Sequence, residues 1–261
     1  IMIFGLLMSF PLVVSAWLGD GATLAYDQGL FVTFVAGLLL WAATRSKRRD
    51  LRVHDGFLLV AATWVVLPLF GALPLLAYIP DLGFTDAYFE AVSGLTATGA
   101  TILTGLDDLP ISINLWRTFM HWVGGMGVIV LVVAILPLLG IGGRQLYKAE
   151  VPTPMKDASL TPRIAETAKG LWLTYLLLTV ACGLCLRWAG LDGWDAVIHS
   201  FSVAGLGGFS NRDASLGHFD SPAVEIVTAV FALLAGLNYA THYLALVRRS
   251  TRPYRRDPEI P

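Results

Sequence analysis

The chain has 261 residues, of which 56% are hydrophobic and 14% are charged, and its formal net charge is −1. Soluble globular domains carry about 25% charged residues, so this composition excludes an ordinary soluble domain. Several apolar segments reach the roughly 20 residues that a helix needs to cross a hydrocarbon core. The composition therefore predicts an all-α, polytopic membrane protein.

The N-terminal part predicts a transmembrane helical hairpin. We expect spans at 1–18 and 30–44, joined by a polar turn. The first segment lacks the basic start and small-residue cleavage site of a signal peptide, which favours a span. The basic stretch RSKRRDLRVH at 45–54 follows, and the positive-inside rule places it in the cytoplasm. A nucleic-acid-binding patch is a poor alternative, because the stretch is short and lies between two spans.

A span, an outer segment and a second span follow. The span at 57–78 contains Pro68 and Pro74, which are expected to kink it. The segment 79–111 carries acidic residues and no Lys or Arg, which indicates the outer face. We expect the next span at 115–139.

The same order then recurs. A basic segment at 140–169 is expected inside, a span at 170–188, an outer segment at 189–222 and a last span at 224–247. The tail that begins at Arg248 is rich in Arg, and we expect it in the cytoplasm.

One sequence pattern occurs twice. Residues 86–101 read DAYFEAVSGLTATGAT and residues 195–210 read DAVIHSFSVAGLGGFS, so Asp86 matches Asp195 at an offset of 109 residues. The same offset aligns the flanking spans. Each outer segment contains a hydrophobic stretch too short to cross the membrane, at about 84–97 and 194–206, and such stretches are commonly re-entrant. The predicted fold is an N-terminal hairpin followed by two span–pore loop–span repeats.

The residues after each short helix suit a cation. A dehydrated cation needs oxygen ligands, and backbone carbonyls supply them without net charge. Non-helical backbone is tolerated at membrane depth where it lines a cavity, and glycine adopts the required conformations at low cost. The helix C-termini are partly negative, which favours cations. For Gly99 and Gly208 the alternative is close packing or a plain turn. Their matched positions in two repeats favour a selectivity filter.

Other residues receive simpler interpretations. Gly124-Gly125-Met126-Gly127 is interpreted as a helix-packing site, with room for a gate as the alternative. Arg117 and His121 are expected to lie at the membrane interface, where long side chains snorkel, with a place in the pore vestibule as the alternative. Cys182 and Cys185 lie in an apolar run and are interpreted as small hydrophobic residues rather than redox or metal ligands.

The acidic residues of the outer segments allow two interpretations. Asp107, Asp108 and Asp220 either concentrate cations at the pore mouth or are ordinary solvated loop acids. From the spans and charges, we divide the chain into a hairpin at 1–50, a first repeat at 51–150, and a second repeat with the cytoplasmic tail at 151–261.

At these loops the sequence resembles the potassium-transporting subunits of the Trk/Ktr/HKT superfamily, most closely the bacterial TrkH type. The resemblance covers most of 85–225 and rests on five stretches: SGLTATGAT, HWVGGMGVIVLVVAILPLLG, RQLYKAE, PRIAETAKGLW and HSFSVAGLGGFSNRDASLGHF. The N-terminal hairpin is also similar to that of the TrkH type.

The resemblance implies a specific function and set of partners. It implies four span–pore–span repeats around one central pore, with potassium moving passively or coupled to another ion, in a multi-pass protein of the bacterial inner membrane. It also implies a homodimer that binds a cytosolic nucleotide-binding regulatory subunit, with no cofactor besides the transported K⁺. Carried over to this sequence, the filter glycines are Gly99 and Gly208. The other filter residues, which would also contact K⁺, are Thr96, Ala97, Thr98, Leu206, Gly207 and Phe209.

The chain departs from the family in showing two repeats instead of four. Two repeats line half a pore, so we expect this chain to be the N-terminal half of a longer protein, with the combination of two chains as the alternative.

The sequence leaves three alternative functions. A broken-helix secondary transporter for sodium would have inverted repeats, whereas these share one orientation. A non-conducting assembly subunit would tolerate bulk at the filter glycines. An intramembrane enzyme is disfavoured, because the predicted spans contain no nucleophile–base pair, metal-ligand cluster or phosphate-binding loop.

Overall fold

The computed structural model describes residues 1–46, 53–135 and 160–257. The predicted basic segments lie partly outside these ranges, at 47–52 and 140–159. Within them the chain is helical and has no strand. The helices are α1 (Met2–Leu7), α2 (Ser9–Leu18), α3 (Thr23–Thr44), α4 (Val53–Gly71), α5 (Leu73–Tyr78), α6 (Phe84–Leu95), α7 (Ile111–Ile135), α8 (Leu160–Trp188), α9 (Gly193–Ala204), α10 (Pro222–Gly236), α11 (Tyr239–Arg248) and α12 (Arg252–Arg256).

The N-terminal hairpin differs in detail from the prediction. The first expected span consists of the two short helices α1 and α2, which meet at Met8. The second span of the hairpin, expected at 30–44, is α3, which begins at Thr23 and has 22 residues, because the polar turn is shorter than expected. Tyr26 on α3 donates a hydrogen bond of 2.8 Å to the carbonyl oxygen of Ser112 on α7. The hairpin is therefore packed on α7, the second span of the first repeat.

Asp20 fastens the turn of the hairpin to the start of α7. Its carboxylate accepts hydrogen bonds from the Ser15 hydroxyl (2.5 Å) and from the backbone N–H of Ser112 (3.0 Å). Partial burial raises the pKa of Asp20, but these hydrogen bonds lower it by more, so the net pKa lies below its ordinary value. The charged form of Asp20 is the one that the folded protein stabilises.

The first repeat follows the predicted order. Helices α4 and α5 are separated at Ala72, between Pro68 and Pro74, so the helix is interrupted in the region where the prolines were expected to kink it. Residues 57–78 remain long and apolar enough to cross a membrane as one span. The short helix α6 follows, and α7 returns from the outer side.

The second repeat repeats this order but ends in a broken helix. A continuous span was expected at 224–247, and that expectation was wrong: α10 and α11 meet at an angle of 93°. Leu237 is extended at the break, and the Asn238 side chain caps α11 by accepting from the N–H of Ala240 at 2.9 Å. The carbonyl of Leu234 accepts from the N–H of Leu237 at 3.2 Å and from His242 Nε2 at 2.8 Å, so this acceptor at the break has two donors.

Within the described part of the chain, three helices are long and apolar enough to span a membrane, or four if the bent pair α10–α11 counts as one. This confirms an all-α polytopic membrane protein.

Candidate ion-permeation site

The two short helices end in the same way. In α6 the N–H of Thr98 bonds to the carbonyl of Ser93 at 2.9 Å, and in α9 the N–H of Gly207 bonds to the carbonyl of Ser202, also at 2.9 Å. A second bond, from Ala97 to Gly94 or from Leu206 to Val203, measures 3.1 Å in both. These pairs of bonds form a Schellman cap at each helix end. The sequence repeat is thus also a repeat in backbone geometry.

Each cap places a non-glycine residue in the left-handed region. Ala97 has φ 53° and Leu206 has φ 56°, at equivalent positions of the two repeats. Glycine is usual there, since a side chain costs about 1 kcal/mol or more in this conformation. Thr96, Ala97 and Leu206 therefore belong to the helix caps. The chain continues without regular secondary structure through residues 98–101 and 207–210. These two segments are called the first and second strands below, although neither is a β-strand.

The structure brings the two predicted filter segments together. Gly99 and Gly208 have φ of 76° and 92°, so both require the conformational freedom of glycine. A side chain at Gly99 would also overlap the carbonyl oxygen of Gly207, whereas space is open at Gly208. The strand of the first repeat thus lies directly against that of the second.

Predicted filter residues differ in exposure. Thr96, Thr98, Leu206 and Gly208 are exposed, and the hydroxyls of Thr96 and Thr98 lie 2.7 Å apart. The side chain of Phe209 is buried, so it shapes the strand from behind rather than lining an open surface.

Each strand is tied to its own short helix by a hydroxyl group. The Thr101 hydroxyl donates to Glu90 Oε1 at 2.9 Å, and Ser210 Oγ lies 3.0 Å from His199 Nε2. His199 Nδ1 faces the carbonyl of Asp195 at 2.7 Å, so Nδ1 carries the proton and Nε2 accepts from Ser210. Glu90 and His199 are equivalent in the repeat, as are Thr101 and Ser210. Sequence reasoning missed both ties, although the 109-residue alignment pairs these positions.

Arg117 lies behind the strands and not at the membrane interface, so the expectation of snorkelling was wrong. Its side chain is fully buried, and Nη2 lies 2.6 Å from Glu90 Oε1, which is buried too. An isolated charge at this depth would be very costly. Glu90 offsets that cost by supplying the opposite charge.

The glycines of α7 allow both short helices to approach it. A side chain at Gly124 would overlap the carbonyl oxygen of Leu95, the last residue of α6. At Gly125 it would lie 3.0 Å from both the Cα of Gly205 and the hydroxyl of Tyr175. These contacts support the packing interpretation for two of the three glycines, whereas Gly127 has open space.

Outside the strands, the loops of the two repeats are joined by charged groups. The Asp213 carboxylate accepts from the N–H groups of Gly105 and Leu106 at 2.9 and 3.0 Å. Asp107 accepts from the N–H of Asp213 at 3.0 Å, a bond that lowers the pKa of Asp107 together with Arg212, 3.4 Å away. Asp107 therefore has a structural contact across the two loops.

Comparison with known proteins gives one family. The model of the TrkH family, described as cation transport proteins, matches residues 24–260. The chain is 50% identical over 261 residues to the Trk system potassium uptake protein TrkH of Escherichia coli K12, covering 100% of this chain and 54% of that protein. It is 39% identical over 259 residues to the Trk system potassium uptake protein TrkG of the same strain, covering 99% and 53%.

A solved structure agrees. The crystal structure of the potassium transporter TrkH from Vibrio parahaemolyticus superposes with a TM-score of 0.87 at 43% identity, covering 99% of this chain and 53% of that chain. The chain thus spans about half the length of the curated relatives it matches. It is a multi-pass protein of the cytoplasmic membrane and belongs to the TrkH family of cation transport proteins.

Proposed function

We propose that this chain supplies two pore-lining repeats of a subunit that takes up potassium ions across the bacterial cytoplasmic membrane. The observation that carries the proposal is the contact of the two strands, where Gly99 leaves no room for a side chain beside the carbonyl of Gly207. Potassium is the substrate in the printed names of the relatives. We propose a transporter and not an enzyme, with K⁺ as cargo and no cofactor.

The filter would be formed by the backbone of both repeats. The ion ligands in this proposal are carbonyl and hydroxyl oxygens of Thr96, Ala97, Thr98 and Gly99 in the first repeat and of Leu206, Gly207, Gly208 and Phe209 in the second. Such oxygens bind a dehydrated cation without holding it too tightly to leave. The C-termini of α6 and α9 add partial negative charge at the start of each strand. Because the Schellman caps use carbonyls of the last helical turn, the strand carbonyls are the acceptors that remain for an ion.

The remainder of the pore would come from further repeats. We propose that the chain is about half of a four-repeat subunit, divided at 1–50, 51–150 and 151–261 as the sequence indicates. The subunit would form a homodimer in the lipid bilayer and bind a cytosolic nucleotide-binding regulatory subunit of the Trk type. The words "Trk system" in the relatives' names support a multi-component assembly.

The broken helix α10–α11 supports one alternative. Broken spans are typical of secondary transporters, in which freed backbone groups bind an ion at mid-membrane. The carbonyl of Leu234 at this break, however, already accepts from the N–H of Leu237 and from His242. Sodium transport at this break is therefore the weaker candidate.

The test is uptake of Rb⁺ and Na⁺ by the full-length parent in cells that lack their own potassium uptake systems. Gly99→Ser and Gly208→Ser would be compared with wild type at equal amounts in the membrane. Both variants should lose the preference for Rb⁺, because both glycines have a positive φ that a serine adopts at a cost. Gly99→Ser should lose more of this preference, because its side chain would also overlap the Gly207 carbonyl oxygen. Wild-type preference in both variants would make these glycines packing residues and refute the filter.

A further inference from the structure

The guanidinium of Arg117 uses all five of its N–H groups. Nε and Nη2 donate to Glu90 Oε1 at 2.8 and 2.6 Å, and Nη2 also donates to the Thr101 hydroxyl at 3.1 Å. Nη1 donates to Asn114 Oδ1 at 3.1 Å and to the backbone carbonyl of Ser210 at 2.9 Å. Four of these bonds lie within the first repeat. The fifth holds the backbone of the strand in the second repeat.

The same face of α7 also holds Phe209, the residue before Ser210. The Arg117 guanidinium lies 4.5 Å from the centroid of the Phe209 ring, a cation–π distance. The ring of His121, one turn further along α7, stacks on Phe209 with 4.1 Å between centroids. A side chain at Gly207 would overlap the His121 ring, so this part of the strand also lies against α7.

This arrangement is not a general consequence of the repeated fold. The 109-residue offset places Ile226 at the position of Arg117, and Val230 at that of His121. On α10 these two apolar side chains are 63% and 47% exposed. On the short helices, Glu90 is replaced by His199, which bonds to Ser210 without an ion pair. Of these two equivalent helices, α7 therefore makes the polar contact with a neighbouring filter strand, and α10 lacks the side chains for it.

The ion pair is a costly way to stabilise a fold. Removing two charges from water costs about as much as their attraction returns, and apolar pairs of similar volume often stabilise as well. What the pair does offer is position, since the planar Arg fork fixes several acceptors at once. In this site those acceptors belong to Glu90, to the first strand at Thr101 and to the second strand at Ser210.

We propose that Arg117 is a positioning residue that sets the second strand against the first, so that cation selectivity depends on its grip on Ser210 and Phe209. Glu90 orients Arg117 and supplies the opposite charge beside it. This inference rests on the proposed function, since it assigns a role within the proposed filter.

The experiment measures Rb⁺ and Na⁺ uptake of the full-length parent together with the thermal stability of the purified protein. The variants are Arg117→Met, Glu90→Gln, the double variant E90Q/R117M, and Arg117→Lys, which keeps the charge but not the fork. Phe209→Leu removes the ring while leaving the ion pair intact. Thr118→Val is the matched control, because Thr118 is buried on the same helix and, among the described residues, its hydroxyl bonds only to the carbonyls of Asn114 and Leu115 of α7.

The double variant E90Q/R117M should recover thermal stability without recovering the Rb⁺/Na⁺ ratio. The single variants Arg117→Met and Glu90→Gln leave one buried charge without its partner, whereas the double variant does not, so the double variant should recover stability. Its Rb⁺/Na⁺ ratio should stay as low as that of Arg117→Met, about tenfold below wild type, which is the change expected from one hydrogen bond of ordinary strength. Arg117→Lys and Phe209→Leu should also lower the ratio, and Thr118→Val should leave it unchanged.

The opposite pattern overturns the inference. If the double variant regains stability and the wild-type Rb⁺/Na⁺ ratio together, Arg117 only supports the fold. If Arg117→Met fails to reach the membrane, a wild-type ratio in Phe209→Leu and Arg117→Lys refutes the inference equally well. The absence of Rb⁺ uptake by the wild-type parent would instead refute the proposed function, and the inference with it.

Discussion

Gly124→Ala should destabilise the protein, although alanine is the better helix former. The added methyl group would overlap the carbonyl oxygen of Leu95, a backbone atom at the end of α6 that is held by the Schellman cap. Gly127 lies less than one turn further along the same helix and has open space for the methyl group. Gly127→Ala is therefore the matched control.

The two changes share one energetic term and differ in another. Both gain about 1 kcal/mol from replacing glycine inside a helix. Gly124→Ala also pays for overpacking, typically about 1–3 kcal/mol, and towards the upper end here because a backbone atom must move. We therefore expect Gly127→Ala to be stabilised by up to about 1 kcal/mol and Gly124→Ala to be less stable than this control by about 3 kcal/mol.

The measurement is thermal unfolding of the full-length parent, purified in one detergent and followed by tryptophan fluorescence. Gly124→Ala should unfold below wild type and Gly127→Ala at or above it. If Gly124→Ala proves as stable as Gly127→Ala, then α7 does not approach α6 as closely as the structure requires. The assignment of this glycine run to helix packing would then be withdrawn.

Three further predictions concern the loops and the tail. Asp213→Ala should cost about 1 kcal/mol in unfolding free energy, because two loop N–H groups, one exposed and one partly buried, lose their acceptor. An unchanged denaturation midpoint would contradict this. The folded-state pKa of Asp20 is lowered, so the charged carboxylate stabilises the fold above the unfolded-state pKa, and this effect is lost as pH falls through the folded-state pKa. The unfolding free energies of wild type and Asp20→Asn should therefore converge as pH falls from about 6 to about 3. A difference that stays constant over this pH range would contradict the prediction. Tyr254→Phe removes the 2.8 Å hydrogen bond from the Tyr254 hydroxyl to His242 Nδ1, which holds the C-terminal tail against α11. Trypsin should therefore cleave the variant faster after Arg255, relative to cleavage after Arg45. Equal relative rates in the variant and wild type would contradict this role of the hydrogen bond.

Much of the site could be predicted from the repeated pattern. The short stretches expected at about 84–97 and 194–206 are helices at Phe84–Leu95 and Gly193–Ala204, and both expected glycines have positive φ. These features follow from local composition: a short apolar run, then small residues. The ion-binding role of the strands stays a prediction, as do the domain boundaries.

Other features depend on residues distant in sequence. The place of Arg117 near the end of a span predicts an interfacial residue. Its burial could not be predicted, because its partners Glu90 and Ser210 lie 27 and 93 residues away in sequence. The break at Leu237 interrupts an apolar run without a proline. The carbonyl of Leu234 beside the break accepts from His242, which in turn contacts Tyr254 of the tail.

The amino-acid sequence by itself determined the membrane environment, the order of spans and short helices, and the two glycine-containing strands, because hydrophobic length and repetition are local properties. Only the tertiary structure decided that the two strands touch, that α7 packs through Gly124 and Gly125, and that a buried Arg117 joins both repeats. The physical reason is that a charge can be buried only where an opposite charge and hydrogen-bond partners lie close to it, and the packing between helices decides whether they do.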